Sequence, residues 1–220
     1  MIRSRVAWLL VVTPLALASC ASSRTTVLSL ARLQCATCAD SLAKELSHQS
    51  GVRRATFDRR RAELTVVASP SVDAMTLAQS MPKDEPFDIL PGPGRGSYVA
   101  WSLPPAGADM KVAVTDGADV ADLGSLVVPG KVTLVDFSAI WCEPCRSLEE
   151  HVGALAAKRQ DLAYRKLDVG DWDSPLARHY LAQVPSLPYV IVYSKSGQRL
   201  DAFAGLDLKR LDADIDRGAQ

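Results

Sequence analysis

Residues 135–145 read VDFSAIWCEPC, from Val135 and Asp136 to Cys142, Glu143, Pro144 and Cys145, and the period of the chain changes inside them. Upstream, residues 132–137 form a near-continuous apolar run broken by Asp136, the pattern of a strand buried on both faces. Downstream, a helix begins at or just before Cys145, with Leu148, Val152, Leu155 and Ala156 spaced to share its inner face. Both cysteines therefore fall where a strand hands over to a helix. The unpaired N–H groups and the positive dipole end of that helix stabilise a thiolate, lowering its pKa below the ~8.5 of a free thiol. Cys142 is expected at the exposed end and Cys145 one turn in, shielded. In that arrangement the first thiolate attacks a disulfide and the second resolves the mixed disulfide. A zinc site would need a second ligand pair, and this half of the chain holds no further cysteine.

Outward from this stretch the C-terminal half alternates strands and helices. Residues 162–169 read as a strand, Ser174 followed by Pro175 has the cap and first-turn chemistry of a helix start, and residues 189–193 read as a further strand. Ser196 and Gly197 turn the chain into residues 199–203, and residues 206–215 close it as an amphipathic helix. This alternation argues for an α/β fold, a sheet with helices on both faces.

Over residues 109–220 the chain resembles the thioredoxin superfamily, through VDFSAIWCEPC and through VPSLPYVIVY at residues 184–193. The resemblance implies a thioredoxin-like fold and a thiol–disulfide oxidoreductase that needs no cofactor at its redox site and acts on protein disulfides. By the same resemblance Cys142 and Cys145 react, Pro188 is a cis proline facing them, and Trp141 and Leu187 meet the substrate. Asp136 occupies the place of the family's buried acid, which relays a proton to Cys145, and Lys166 that of the lysine accompanying it. Glu143 departs from the glycine commonest between the cysteines of thioredoxin, and a negative charge there should raise the Cys142 pKa. Glu149, Glu150 and His151 stand where many thioredoxins kink the helix with proline, which points to the periplasmic reductase branch; His151 reads as a helix-surface residue.

Residues 25–91 give a β-α-β-β-α-β reading, an α+β ferredoxin-like unit. Residues 25–33 start β-branched, and residues 39–46 carry Leu42, Ala43 and Leu46 on one helical face. Residues 52–57 and 62–68 alternate as strands around the charged tip Asp58 to Arg61. A second helix starts near Ser71, and residues 87–90 supply the last strand. With Cys35-Ala36-Thr37-Cys38 (CATC), Leu42, Leu46, Gly51, Val52 and the strand 62–67, the unit resembles the heavy-metal-associated domain of copper and mercury transport proteins. The resemblance implies that Cys35 and Cys38 bind a soft ion, and two thiolates without another strong ligand suit Cu(I), with Hg(II) satisfying the same geometry. Arg32 and Leu33 replace the Gly-Met usual before the first cysteine, and Lys83 is expected near the loop as a cation. A structural or purely redox disulfide is the competing reading of CATC. Residues 92–108, dense in proline and glycine, read as an interdomain linker.

Residues 1–19 have the form of a secretory leader, with Arg3 and Arg5 ahead of an apolar run too short to span a bilayer. Leu17, Ala18, Ser19 and Cys20 resemble a bacterial lipobox, which implies acylation of Cys20. With Ala21 following, it also implies an anchor in the outer membrane facing the periplasm. The 25 basic residues equal the 25 acidic ones, so no nucleic-acid footprint is present. All five cysteines fall at the leader end or in a CxxC turn. Together these features point to a lipid-anchored oxidoreductase of the cell envelope, a reductase working on metal-handling or other protein thiols and fed by a membrane thiol-transfer donor. The competing class is a copper or mercury chaperone or scavenger whose C-terminal fold is a scaffold.

Overall fold

The computed structural model describes residues 22–83, 86–101 and 103–220, so the leader and Cys20 lie outside the described residues. The described residues form two sheets, one per half. In the first, β1 (Arg24–Ala31), β2 (Val52–Asp58), β3 (Glu63–Ala68) and β4 (Asp88–Pro91) lie in the order β2-β3-β1-β4 with every pairing antiparallel. Helices α1 (Ala36–Ser47) and α2 (Ala74–Ser80) complete the β-α-β-β-α-β order. Leu28, Leu30, Leu64 and Val66 pack with Ala39, Leu42 and Leu46 of α1 into one core. Gly51, at φ +81, makes the tight entry to β2, where a Cβ would meet Val72 at 2.8 Å.

Both helix starts in this half differ from the sequence reading. α1 begins at Ala36, earlier than residue 39, because the Cys35 sulfur accepts the Cys38 N–H at 3.2 Å and so caps the helix. α2 begins at Ala74, later than Ser71, because the Asp73 carboxylate accepts the N–H groups of Met75 and Thr76.

The second sheet has the order β5-β7-β6-β8-β9, built from β5 (Asp109–Val114), β6 (Val132–Ser138), β7 (Leu162–Asp168), β8 (Tyr189–Tyr193) and β9 (Arg199–Ala204). β5, β7 and β6 run parallel, and β8 and β9 are antiparallel additions. Every residue of β6 is buried, as its apolar run requires. Helices α3 (Glu143–Ala156), α4 (Pro175–Tyr180) and α5 (Leu208–Gly218) belong to this half. One core gathers Val135, Phe137, Leu167, Leu176 and Ile191, and the other Leu134, Leu148, Val152, Tyr164, Val192 and Ile215. Helices thus cover both faces of a mixed α/β sheet, the thioredoxin-like arrangement. His151 of α3 pairs with Asp212 of α5 at 2.7 Å.

The proline- and glycine-rich segment between the sheets is tied down. Ser97 and Val99 donate to the carbonyls of Leu30 and Leu33, and Leu33 donates to that of Ser97. Arg146 of α3 donates to the carbonyls of Val99 and Ala100, and the Tyr98 hydroxyl donates to that of Arg59. Among the described residues no helix is long and apolar enough to cross a membrane.

Candidate active site

Cys142 caps α3 in extended conformation, with its sulfur accepting the Cys145 N–H at 3.2 Å, and the two cysteines form a disulfide. Pro144 lies in the first turn, where a missing N–H costs no hydrogen bond. The same geometry recurs at Cys35, which caps α1 and is disulfide-bonded to Cys38. There the Thr37 hydroxyl also donates to the Cys35 sulfur at 3.4 Å.

A cavity of about 240 Å³ joins the two turns. The first half contributes Cys35, Ala36, Thr37, Asp40 and Arg59; Trp141, Cys142, Leu187 and neighbouring residues of the second half close the other side. The Leu187–Pro188 peptide bond is cis. Trp141 is held by its indole N–H, which donates to the Gly170 carbonyl at 2.8 Å, and the Arg59 guanidinium lies 5.0 Å from its ring centroid. Gly170 itself turns at φ +64, with the backbone of Asp116 3.2 Å from where a Cβ would sit.

The expectation that Cys142 is exposed is corrected: it is 5% exposed, against 0% for Cys145. Its core neighbours come from both halves of the chain: Ala36, between the CATC cysteines, packs into the same core as Trp141, Cys142, Cys145 and Leu187. The cation beside the CATC loop is Arg59, paired with Asp40 at 3.4 Å, whereas Lys83 donates to the Gln79 carbonyl and lies over Phe87. Burial raises the Asp40 carboxyl above its usual range, and Arg59 opposes that. Arg32 turns to Asp88 at 2.8 Å, while Leu33 is buried in the first core.

Asp136 and Lys166 do not line the cavity. They face each other across the parallel β6–β7 ladder. Asp136 is fully buried; its Oδ2 accepts the Tyr164 hydroxyl at 2.5 Å, and its Oδ1 has no partner. Burial lifts its pKa to about 7, against the pull of the Tyr164 hydrogen bond and the Lys166 charge. Lys166 donates to Glu149 of α3 at 2.7 Å and sits 3.0 Å from the Trp101 ring centroid, with burial lowering its pKa. Tyr164, Trp101, Arg59 and Asp40 were not singled out in the sequence. Tyr164 had a signal: it stands two residues before Lys166 on one strand, hence on the same face.

The oxidised first pair does not fit a soft metal ion. Its sulfurs are joined in a disulfide, so neither is a thiolate, and no group of three or more His, Cys, Asp or Glu side chains among the described residues is arranged to hold an ion.

The family model "Thioredoxin" matches residues 121–217. Thioredoxin of Equus caballus is 31% identical over 85 residues, 39% of this chain and 77% of that protein. Thioredoxin H8 of Arabidopsis thaliana is 31% identical over 98 residues, 44% of this chain and 64% of that protein. A solved structure of Trichomonas vaginalis thioredoxin is 33% identical, covering 39% of this chain and 78% of that one, with a TM-score of 0.33. The chain belongs to the thioredoxin family.

Proposed function

We propose that this protein is a thiol–disulfide oxidoreductase working as a reductase through Cys142 and Cys145. The observation that carries the reading is the Cys142–Cys145 disulfide at the N-terminus of α3, in one cavity with Trp141 and Leu187 and beside the cis Pro188 bond. After reduction by an external dithiol, the amides and dipole at the start of α3 favour the Cys142 thiolate. That thiolate attacks a substrate disulfide, forming a Cys142–substrate bond and expelling the second substrate sulfur. Cys145 then loses its proton and attacks Cys142, releasing the first substrate sulfur and restoring the disulfide. Asp136 is the positioned base for that second step. A carboxyl with a pKa near 7 is partly ionised at neutral pH, and its unpartnered Oδ1 leaves room for a proton. Lys166 steadies the ionised form.

In this reading Cys20 carries a lipid, the chain faces the periplasm from the outer membrane, and a membrane thiol-transfer protein supplies electrons. The substrates are protein disulfides, metal-handling thiols among them; once reduced, Cys35 and Cys38 would offer two soft donors suited to Cu(I). The leader sequence and the oxidising envelope support this, because soft-metal thiols there need reduction before they can bind.

The test is dithiothreitol-driven reduction of insulin by the full chain. The wild type should accelerate it and Cys142→Ser should fall to background. Equal rates for the two proteins would reject the function.

A further inference from the structure

One cysteine of each disulfide, Cys35 and Cys142, lines the same cavity, and three observations bear on what they do there. The first turns of α1 and α3 line the same space, so two helix N-termini, each stabilising a thiolate, face it together. Cys142 is 5% exposed, and Ala36, next to Cys35, packs into the same core, so the CATC turn forms part of the wall around the nucleophile. The Cys35 end of the Cys35–Cys38 disulfide already lines the site. Cys35 lines the cavity and is 5% exposed, while Cys38 does not line it and is half-buried.

We propose that the Cys35–Cys38 disulfide is the internal redox partner of Cys142 and Cys145, joined to it through a Cys142–Cys35 mixed disulfide. This rests on the oxidoreductase reading above and names the disulfide on which that site acts first. The exchange begins with Cys142 and Cys145 reduced by an external dithiol protein. The Cys142 thiolate attacks the Cys35 sulfur; the Cys142–Cys35 bond forms, the Cys35–Cys38 bond breaks, and Cys38 leaves as a thiolate that takes up a proton. Cys145, deprotonated, attacks Cys142; the Cys142–Cys145 bond forms, and Cys35 leaves as a thiolate. Two electrons have moved from the second pair to the first, and no other oxidant or reductant is consumed.

The Thr37 hydroxyl, which donates to the Cys35 sulfur, has no counterpart in WCEPC, where Pro144 stands in its place. A hydrogen bond to the thiolate makes Cys35 a better leaving group in the last step. Because both pairs belong to one chain, the exchange is unimolecular and independent of protein concentration. Cys142 and Cys35 are equally buried, at 5% exposure, and Cys38 is half-buried, so the exchange delivers reducing equivalents to a more accessible thiol.

The experiment uses the full chain with Cys38→Ser and Cys145→Ser, leaving Cys35 and Cys142 as the CxxC thiols. After mild oxidation, free thiols are alkylated and the peptides are read by mass spectrometry. The Cys142 peptide should be joined to the Cys35 peptide in most molecules, to the same extent over a tenfold dilution. In Cys35→Ser with Cys145→Ser, linkage to Cys38 should be at least tenfold lower. Cys145→Ser alone, which keeps the CATC turn intact, should give the Cys142–Cys35 bond with Cys38 alkylated. Cys142 recovered free, joined to another chain, or joined equally well to Cys38 overturns the proposal. The wild-type insulin assay separates the two failures: insulin reduction without the internal bond rejects the relay alone, and no insulin reduction rejects the function beneath it.

Discussion

Cys35 and Cys142 each cap a helix, and each sulfur accepts the amide of the cysteine three residues on at the same 3.2 Å. What lies behind the sulfurs differs. The second half buries Asp136 completely, with Tyr164, Lys166 and Glu149 around it, whereas Ser29 is the one buried polar residue of the first half among the described residues. Asp40, which lines the cavity with Cys35, has its side chain 44% exposed. The sulfur geometry is alike at the two turns, and among the described residues the fully buried carboxyl with its raised pKa belongs to the second half; the proposed function uses that difference to drive the resolving step at Cys145. The CxxC spacing sets the helix cap; in the proposed function the buried acid of β6 sets the chemistry.

Removing that difference should have the largest effect. Asp136→Asn keeps an acceptor for Tyr164 but cannot take a proton, so release of a trapped Cys142 mixed disulfide should slow by about a hundredfold at pH 7, within the ordinary range of general-base catalysis. The wild-type rate should rise with pH through about 7, and the variant's should lack that inflection. Stability should move the other way. A carboxyl whose folded pKa is raised from 3.8 to about 7 favours the folded state at low pH and loses that contribution as pH rises from about 4 to about 7. The variant should therefore gain on the order of 4 kcal/mol above pH 8 and nothing near pH 4, read by denaturant unfolding. A uniform gain across pH would separate Asp136 from the proton account.

The remaining tests act at the cavity. Arg59→Ala removes the cation over Trp141 and the partner of Asp40, and a contact worth about 1 kcal/mol should raise Cys142 alkylation in the reduced protein about fivefold. No change would mean that Arg59 does not hold the first half over Cys142. Thr37→Val deletes a donor to Cys35 and should slow alkylation of that thiol at neutral pH while leaving Cys142 unmoved. Glu143→Gly should lower the Cys142 pKa, the smallest of these effects, because the charge stands at the solvent side. A rise in that thiol titration would reverse the sign assigned to Glu143.

Local pattern carried much of the fold. The buried run at residues 132–137, the Ser174–Pro175 start and the alternating strands of the first half all stand where period and cap chemistry put them. β5 was not legible, because it is an edge strand with three successive exposed residues and shows no alternation. The start of α1 was missed because its cap is a sulfur rather than one of the oxygen caps that mark helix starts. At the site, the sulfur spacing and the place of Pro188 were readable. The approach of the first half to the site was not, because Ala36 and Arg59 reach the cavity of Trp141 and Cys142 from far along the chain and no period encodes that contact.

The most direct measurement is equilibration of the wild-type full chain with a graded series of thiol–disulfide buffers, counting the reduced fraction of each pair by alkylation and mass spectrometry. The account predicts that Cys35–Cys38 becomes reduced in the more oxidising buffers, while Cys142–Cys145 stays oxidised until the buffer is more reducing. Reduction of Cys142–Cys145 ahead of Cys35–Cys38 would contradict it, since electrons would then flow from CATC to WCEPC.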